Sequence, residues 1–410
     1  MGAQTESYRG EVEVVRSVCR QTLERNWREG VRQEDGVSFA YTRPSPGHYP
    51  FQWYWDSCFA ASSWRRFARE RSRRELESLL AAQAEDGFIG HTIFWDTPLN
   101  ERQRLTYNVL SPGAPMTASI QPPTLAWAWR IAVGDPAAVP AIGRHHDWLS
   151  QHRDLDGDGL LWIVQPDELG LDASPQFDAI WHGHADGLPG FVRLVRRNRA
   201  HGYDLRRVAA DGGPVCCEVM TNVFHALSSL ALGRPSLTGT IIERMYDEKA
   251  GLFRPLARPR TRGEPAVTWA ALSPLALPDL PEAIARRLVE EHLLDPERFW
   301  LAVPPPSVPP TEPGFLRRNS TLGIRRYWRG PTWINAAWML WLGLERLGYG
   351  DEVALLQTSL AETVAAEGLR EYYDPYTGRG MGSTDFAWSA LVMEILEPVR
   401  EARASFLPGP

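Results

Sequence analysis

This 410-residue sequence has little lysine, no excess of positive charge and no long apolar stretch. Lys249 is its only lysine, and 44 Lys+Arg residues against 50 Asp+Glu residues give a net charge of −6. This balance disfavours nucleic acid as a partner, because nucleic-acid binding depends on a basic surface. No apolar run reaches the roughly 18 residues of a membrane-spanning helix, and the first residues lack the apolar stretch of a secretory signal. We therefore expect a cytoplasmic protein without nucleic-acid or membrane partners.

Cysteine is also rare, and its spacing suits neither a disulfide framework nor zinc. The four cysteines are Cys19, Cys58, Cys216 and Cys217. They form no C-x-x-C pair, so we expect reduced core thiols, with no metal and no cofactor. The acidic segment 154–159 matches the first half of a calcium-binding EF-hand loop, but Gln165 stands where that loop needs a bidentate Glu. A tight acidic turn is therefore favoured over a calcium site.

Tryptophan, by contrast, is abundant. Many of the 17 tryptophans must fill the core, but several lie in segments rich in Pro and Gly. These are Trp53, Trp55, Trp95, Trp181, Trp328 and Trp333. Aromatic rings in loops suit a ligand with alternating apolar and polar faces, such as a sugar.

Apolar residues recur along most of the chain at the spacing of amphipathic helices. The pattern predicts helices at 8–28, 55–82, 121–133, 137–151, 186–199, 214–232, 265–293, 332–347, 351–366 and 385–398. The long connections between them are 29–54, 84–120, 152–185, 295–331 and 367–384. Long loops in a compact domain are usually functional. The sequence lacks the strand–helix alternation that would indicate a parallel sheet. The sequence therefore predicts an all-α toroid of helical hairpins whose long loops form the active site on one rim.

No clean linker divides the chain. The proline-rich stretch 302–313 is flanked by the same helical pattern on both sides, so we interpret it as a loop. We expect residues 1–410 to form a single domain, with a disordered tail at 400–410.

The aromatic segment 49–59 is the first candidate for a binding site. Trp53 and Trp55 could stack on sugar rings, and Asp56 could accept hydrogen bonds from two sugar hydroxyls. The alternative is that Asp56 only caps the helix that follows.

Carboxylates are crowded in the next segment, 167–178. Glu168, Asp172 and Asp178 lie close together in the sequence and near Trp181. Such crowding can raise the pKa of one carboxyl group, as a general acid requires. A cluster that only forms turns and caps a helix is the alternative.

Two later segments complete the set. Segment 327–335 combines aromatic rings with Arg329 just before a helix start, and the Gly-rich turn 370–382 offers Glu371 and Asp374 as second carboxylates. Glycoside hydrolysis needs two carboxyl groups, one to protonate the leaving oxygen and one to activate water. The segments together therefore indicate a glycosidase.

These segments resemble glycoside hydrolase family 63, and more distantly the trehalases. The strings Phe51-Gln-Trp-Tyr-Trp-Asp-Ser57 and Trp328-Arg-Gly-Pro-Thr-Trp333 are specific in combination, and the resemblance extends over roughly residues 10 to 398. Within the family, the chain is similar to the short bacterial mannosylglycerate and glucosylglycerate hydrolases. The resemblance implies an (α/α)6 barrel and an inverting mechanism.

The resemblance also implies roles for individual residues. Asp172, in the string Glu168-Leu-Gly-Leu-Asp-Ala-Ser-Pro175, takes the position of the general acid, and Glu371 takes that of the general base. The implied substrate-binding residues are Tyr49, Trp53, Trp55, Asp56, His91, Gln121, Trp328, Arg329, Trp333, Asn335 and Tyr372.

The function predicted in this way is inverting release of glucose or mannose from a small α-linked glycoside such as glucosylglycerate or mannosylglycerate. A trehalase, an α-glucosidase acting on a short α-glucan and a non-catalytic sugar-binding protein remain alternatives, and a terpene-cyclase-like toroid is a weaker one. Candidate partners for an acidic aglycone are Arg102, Arg104, Arg370 and Arg379. The sequence leaves the oligomeric state open.

Overall fold

A computed structural model describes most of the chain. The described residues are 2–96, 99–106, 116–181, 188–261, 263–317, 320–321, 324–325 and 328–398. The predicted disordered tail 400–410 lies outside them. None of the helices in these ranges is long and apolar enough to cross a lipid bilayer.

The described residues are mainly helical. The α-helices are α1 Gly2–Asn26, α2 Tyr54–Trp64, α3 Arg69–Ala81, α4 Glu101–Thr106, α5 Leu125–Ala132, α6 Val139–Arg153, α7 Asp178–Trp181, α8 Leu188–Ala200, α9 Leu205–Ala210, α10 Val219–Ala231, α11 Thr238–Met245, α12 Glu282–Leu288, α13 Ile334–Leu347, α14 Gly350–Glu367 and α15 Val392–Leu396. Shorter 3₁₀ helices are Pro136–Ala138, Pro166–Leu169, Pro175–Phe177, Trp269–Ala276 and Ala387–Leu391, and Val289–Leu293 is a π-helix.

The strands are short and form two-stranded antiparallel pairs. They are β1 Trp27–Val31, β2 Ser38–Thr42, β3 Gln52–Trp53, β4 Thr92–Ile93, β5 Val215–Cys217, β6 Tyr246–Asp247, β7 Leu252–Phe253, β8 Leu256–Arg258, β9 Ser320–Thr321, β10 Ile324–Arg325, β11 Arg370–Tyr373 and β12 Gly380–Thr384. The pairs are β1–β2, β3–β4, β5–β8, β6–β7, β9–β10 and β11–β12.

Six inner segments pack side by side into a closed ring. In order they are α2, α5, α10, the 3₁₀ helix Trp269–Ala276, α13 and the 3₁₀ helix Ala387–Leu391, which packs back against α2. Every residue of α2 is buried, as are the first eleven of α13, because an inner helix has neighbours on all sides. The ring therefore encloses a continuous apolar core.

An outer layer covers this ring. Helices α3, α6, α11, α12 and α14 each pack against the inner segment that precedes them, while α1 packs against Ala387–Leu391, α14 and α15. The N-terminal helix thus supplies the outer partner of the last inner segment. The predicted (α/α)6 barrel is confirmed.

Some predicted helix boundaries were wrong, for identifiable reasons. The helix predicted at 8–28 ends at Asn26, because the next residues pair as β1 with β2. The helix predicted at 55–82 is divided into inner α2 and outer α3. In the helix predicted at 265–293, prolines interrupt regular hydrogen bonding, and short 3₁₀, α and π segments replace it.

Helix α1 packs against the barrel through an apolar stripe. Val12, Val15, Cys19 and Leu23 recur every three or four residues and are buried in the main core. Val14, next to them, is 47% exposed, whereas Val15 is 0% exposed.

We therefore predict that Val15→Ala lowers the free energy of unfolding by about 2 kcal/mol, because it removes buried methyl groups and leaves a cavity. Val14→Ala is the matched control and should change it by less than about 0.5 kcal/mol. Denaturant titration of both variants measures the difference. Equal losses would contradict the proposed packing of α1.

Candidate active site

A pocket opens at the end of the barrel where inner segments begin. Its lining residues are Tyr49, Trp53, Trp55, Asp56, His91, Gln121, Gly170, Asp172, Trp328, Trp333, Glu371, Phe386 and Trp388. They lie at or just before the starts of α2, α5, α13 and Ala387–Leu391, and on the long loops between helices. Ten of these thirteen residues were candidates from the sequence.

The start of α2 is held by its neighbours in the pocket. Trp53 ends β3, which pairs with β4, and the Tyr54 amide donates a hydrogen bond to the His91 carbonyl over 3.0 Å. The Gln121 Oε1 atom accepts a hydrogen bond from the Trp55 amide at 2.8 Å, which satisfies a free N–H of the first helical turn. Gln121 therefore orients the segment that carries Trp55.

Aromatic rings form a continuous wall. Trp328 and Trp333 stack with their ring centroids 3.8 Å apart and their planes at 6°. Trp388 lies edge-on to Trp55 at 5.3 Å and contacts Phe386 at 4.9 Å. A wall of this kind suits the C–H faces of a sugar ring.

Glu371 lies on β11 and is buried. Its Oε1 atom accepts a hydrogen bond from the Tyr49 hydroxyl at 3.0 Å, and its Oε2 atom accepts one from the Ser383 amide at 2.8 Å. Gly382 has φ +70°, and a Cβ atom there would lie 2.6 Å from Oε2. Residue 382, in the strand β12 that pairs with β11, therefore leaves room for this carboxylate because it is glycine.

Asp56 is a second buried carboxyl group in the pocket. It lies in the first turn of α2, whose N-cap residue is Trp53, so the capping role considered for Asp56 is not the one observed. Burial raises the pKa of Asp56 well above its usual value, and the charges of Glu371 and Glu75 raise it further. Hydroxyl donors of a bound sugar would favour its ionised form.

Asp172 enters the pocket on the loop that follows the 3₁₀ helix Pro166–Leu169. Gly170 begins the approach with φ +66°, and a Cβ atom there would lie 2.3 Å from the Trp55 ring. Burial raises the pKa of nearby Asp167 well above its usual value, and the charges of Asp172 and Glu168 add to this. The crowding of carboxylates expected from the sequence is therefore present around Asp172.

Glu168 anchors this loop. It is fully buried, and Arg153 donates to both of its oxygens, at 2.9 and 2.7 Å. The amides of Val164 and Ile120 also donate to it, at 2.8 and 3.2 Å. Glu168 therefore ties the Asp172 loop to the segment that contains Gln121.

Comparison with known proteins identifies the family. The model of the mannosylglycerate hydrolase MGH1-like glycoside hydrolase domain matches residues 49–389. The chain belongs to this family. It is a glycoside hydrolase, and the resemblance to family 63 is confirmed.

Individual relatives agree with this assignment. The mannosylglycerate hydrolase of Thermus thermophilus is 30% identical, over 86% of this chain and 95% of that one. The glucosylglycerate hydrolase of Mycolicibacterium hassiacum is 25% identical, over 85% of this chain and 92% of that one.

Solved structures show the same barrel. A family 63 mannosylglycerate hydrolase of Thermus thermophilus, in complex with Tris, superposes with a TM-score of 0.77 at 26% identity and covers 93% of this chain and 99% of that one. Neutral trehalase Nth1 from Saccharomyces cerevisiae shares the fold at a TM-score of 0.51 and 16% identity, with 93% of this chain and 78% of that one covered.

Three predicted binding residues of this glycoside hydrolase do not line the pocket. Arg329 is buried, and its Nη2 atom donates to Asp178 at 2.5 Å. Tyr372 packs behind Trp333 with ring centroids 4.7 Å apart, and Asn335 is buried in the first turn of α13. All three lie within two residues of a pocket residue in the sequence and are buried.

The structure also separates the two candidates for a second carboxylate. Asp374 accepts hydrogen bonds from the amides of Tyr376 and Thr377 and pairs with Arg317 at 3.1 Å. It therefore stabilises a turn, whereas Glu371 lines the pocket.

His91 contributes a neutral imidazole. Burial lowers the pKa of His91 to about 3, so the ring is uncharged at neutral pH. It can then both donate and accept a hydrogen bond to a sugar hydroxyl.

The acidic turn 154–159 is stabilised by protein groups. Asp154 accepts hydrogen bonds from the amides of Gly157 and Gly159, at 2.6 and 2.9 Å, and Arg244 pairs with Asp156 and Asp158. No group of three or more potential metal ligands occurs in the described ranges. The geometry is that of the tight turn favoured from the sequence.

Gly170, Phe386 and Trp388 line the pocket but were not candidates from the sequence. Gly170 lies inside the Glu168–Pro175 string. A glycine at that position lets the backbone approach Trp55 closely, and this could have suggested it as a pocket residue. Phe386 and Trp388 lie at the start of the last inner segment. Closure of the ring places them at the pocket, and the sequence pattern does not show that contact.

We predict that Glu168→Gln lowers the free energy of unfolding by about 3–5 kcal/mol, because it leaves the buried Arg153 guanidinium without its counter-charge. The exposed pair of Arg286 and Glu282 provides the control, and Arg286→Gln should cost less than about 1 kcal/mol. Thermal and denaturant unfolding measure both effects. A loss in Glu168→Gln no larger than in the control would mean that this pair is not an anchor.

Proposed function

We propose that this glycoside hydrolase releases mannose or glucose from an α-linked glycerate glycoside with inversion of configuration. Asp172 is the general acid and Glu371 is the general base. The observation that carries the proposal is that both carboxyl groups line one aromatic pocket, although they lie far apart in the sequence. The names of the relatives, mannosylglycerate and glucosylglycerate hydrolases, supply the substrate class.

The two carboxyl groups have complementary tasks. Asp172 donates a proton to the glycosidic oxygen as the bond to the anomeric carbon breaks. Glu371 takes a proton from water as that water attacks the opposite face of the anomeric carbon. The products are the β-anomer of the sugar and free glycerate, and water supplies the atoms that complete both.

The other pocket residues hold the sugar. Trp55, Trp333 and Trp388 offer apolar faces and edges, while Asp56 and Gln121 supply polar atoms beside them. Tyr49 donates to Glu371, so it fixes the base while contacting the same space. This arrangement of apolar faces beside polar atoms supports a binding site for a single sugar ring next to the reacting bond.

Recognition of the glycerate carboxylate would require a cationic or hydrogen-bonding partner beside the sugar pocket. The pocket lining includes no arginine or lysine among the residues that the structure describes. Arg370, one of the arginines predicted for this task, donates to the Gly380 carbonyl at 3.3 Å. A panel of test substrates should therefore include the glycerate glycosides and also neutral disaccharides such as trehalose, kojibiose and nigerose.

We also propose that residues 1–410 act as one catalytic domain in the cytoplasm. A single connected core includes residues from Val12 to Leu396, which supports one domain. The four cysteines are buried and free, as suits a reducing compartment.

We predict that the wild-type protein hydrolyses at least one glycerate glycoside, and that Asp172→Asn and Glu371→Gln each reduce kcat by about 10²–10⁴-fold, because each removes a proton-transfer group. Sugar release from the panel gives the rates, and proton NMR of the first product distinguishes the β-anomer of an inverting enzyme from the α-anomer.

Glu362→Gln, an exposed position on α14, is the control and should retain wild-type kcat. Full activity in Glu371→Gln would overturn its role as base. Hydrolysis of trehalose but of no glycerate glycoside would replace the proposed substrate, and sugar binding without hydrolysis would overturn the enzymatic proposal.

A further inference from the structure

A buried carboxylate lies behind the sugar pocket. Glu75 projects from outer helix α3 and is fully buried between α2 and β2. The Ser57 hydroxyl donates to its Oε1 atom at 2.6 Å, and the Thr42 hydroxyl donates to its Oε2 atom at 2.6 Å. The Thr42 amide also donates to it, at 2.8 Å to the nearer oxygen. Both carboxylate oxygens are therefore fully engaged.

The direction of these hydrogen bonds is fixed by a second set of donors. The Gln52 amide group donates to the Ser57 hydroxyl oxygen at 3.0 Å, and the Trp64 indole donates to the Thr42 hydroxyl oxygen at 2.9 Å. Each hydroxyl group therefore directs its own proton to Glu75. Because all its partners are donors, the site is built around a carboxylate anion.

This network leads directly to the pocket. Ser57 follows Asp56 in α2, and Gln52 precedes Trp53 in β3. The Trp95 indole donates to Gln52 at 2.7 Å and holds its amide in place. The segment between the two network residues consequently includes Trp53, Trp55 and Asp56, which all line the pocket.

The charge of Glu75 is not balanced by a cation nearby. No ion pair involves Glu75 in the part of the chain that the structure describes, whereas buried Glu168 and Glu394 both pair with arginine. The carboxyl groups of Glu371 and Glu75 both raise the pKa of Asp56, and burial raises the pKa of the Cys58 thiol that also interacts with it. Burial raises the pKa of Glu75 itself to about 7. Such an arrangement costs stability, which suggests a functional benefit.

We propose that Glu75 is a positioning residue of the sugar pocket, which holds the segment 52–57 in its working geometry and places negative charge behind Asp56. The inference rests on the proposed function, since it assigns Asp56 to sugar binding. A negative potential on this side of the pocket stabilises the positive charge that develops at the anomeric carbon in the transition state.

The test compares kcat, KM and the pH dependence of kcat/KM in four variants with the wild-type enzyme. Glu75→Gln keeps the shape but removes the charge, Glu75→Asp keeps the charge, and Ser57→Ala removes one hydrogen bond to Glu75. Ser72→Ala is the matched control, because the Ser72 hydroxyl joins α3 to the Ala61 carbonyl of α2 at 2.8 Å, away from the pocket.

In Glu75→Gln, kcat should fall about tenfold to hundredfold, since small displacements of a binding wall are costly in the transition state. In the wild type, kcat/KM should rise through about pH 7 as Glu75 ionises, because the pKa of Glu75 is raised to about 7, and Glu75→Gln should lack this step. Glu75→Asp should retain it. Ser72→Ala should match the wild type in both respects.

If Glu75→Gln does not fold, Ser57→Ala decides, and its kcat should fall severalfold while the ionisation step of Glu75 remains in the pH profile of kcat/KM. Wild-type kcat in Glu75→Gln or Ser57→Ala, or an equal loss in Ser72→Ala, would overturn the inference. A wild-type enzyme that is inactive on the whole panel would instead contradict the proposed function. In that case Glu75→Gln should still bind mannose or glucose more weakly than the wild-type protein in calorimetry. Equal affinity would overturn the inference.

Discussion

Closure of the inner ring is the constraint on which the rest of this molecule depends. The last inner segment, Ala387–Leu391, packs against α2, and α1 covers it from outside. This contact brings together residues near position 50 and residues near position 388, and both groups line the pocket. The aromatic wall, in which Trp388 meets Trp55, therefore exists only when the two ends of the chain have joined.

Buried carboxylates show how the barrel treats charge in its interior. Glu168 is neutralised by Arg153 and serves as an anchor, whereas Glu75 receives only neutral donors and Asp56 is surrounded by acidic neighbours. An ion pair mainly fixes structure, since it leaves little net charge. An unbalanced carboxylate keeps its field, and Asp56 lines the pocket while Glu75 lies directly behind it.

The helical pattern of the sequence was sufficient to predict a toroid, and the aromatic and acidic segments were sufficient to predict part of the pocket, whereas the (α/α)6 barrel and residues such as His91 and Gln121 were implied by the family resemblance. Inner helices such as α13 are apolar on every side, and motifs such as that around Trp53 place several pocket residues within one turn or loop. Contacts between distant segments were not accessible in this way. Periodicity could not show that Arg329 pairs with Asp178, or that Phe386 reaches the pocket. The strands were also missed, because strands of two to five residues leave little or no alternating pattern.

The separation between the two proposed catalytic carboxylates is a property of the scaffold. Asp172 is carried by a loop anchored through Glu168, and Glu371 by β11 with support from Tyr49 and Ser383. No short segment of the chain holds both groups, so their distance is set by the packing of the ring between them. Inverting hydrolysis requires a gap of about 6.5–9.5 Å for water, and retaining hydrolysis a gap of about 5 Å. The packing of the barrel, rather than either carboxylate alone, therefore sets which of these two gaps the site presents.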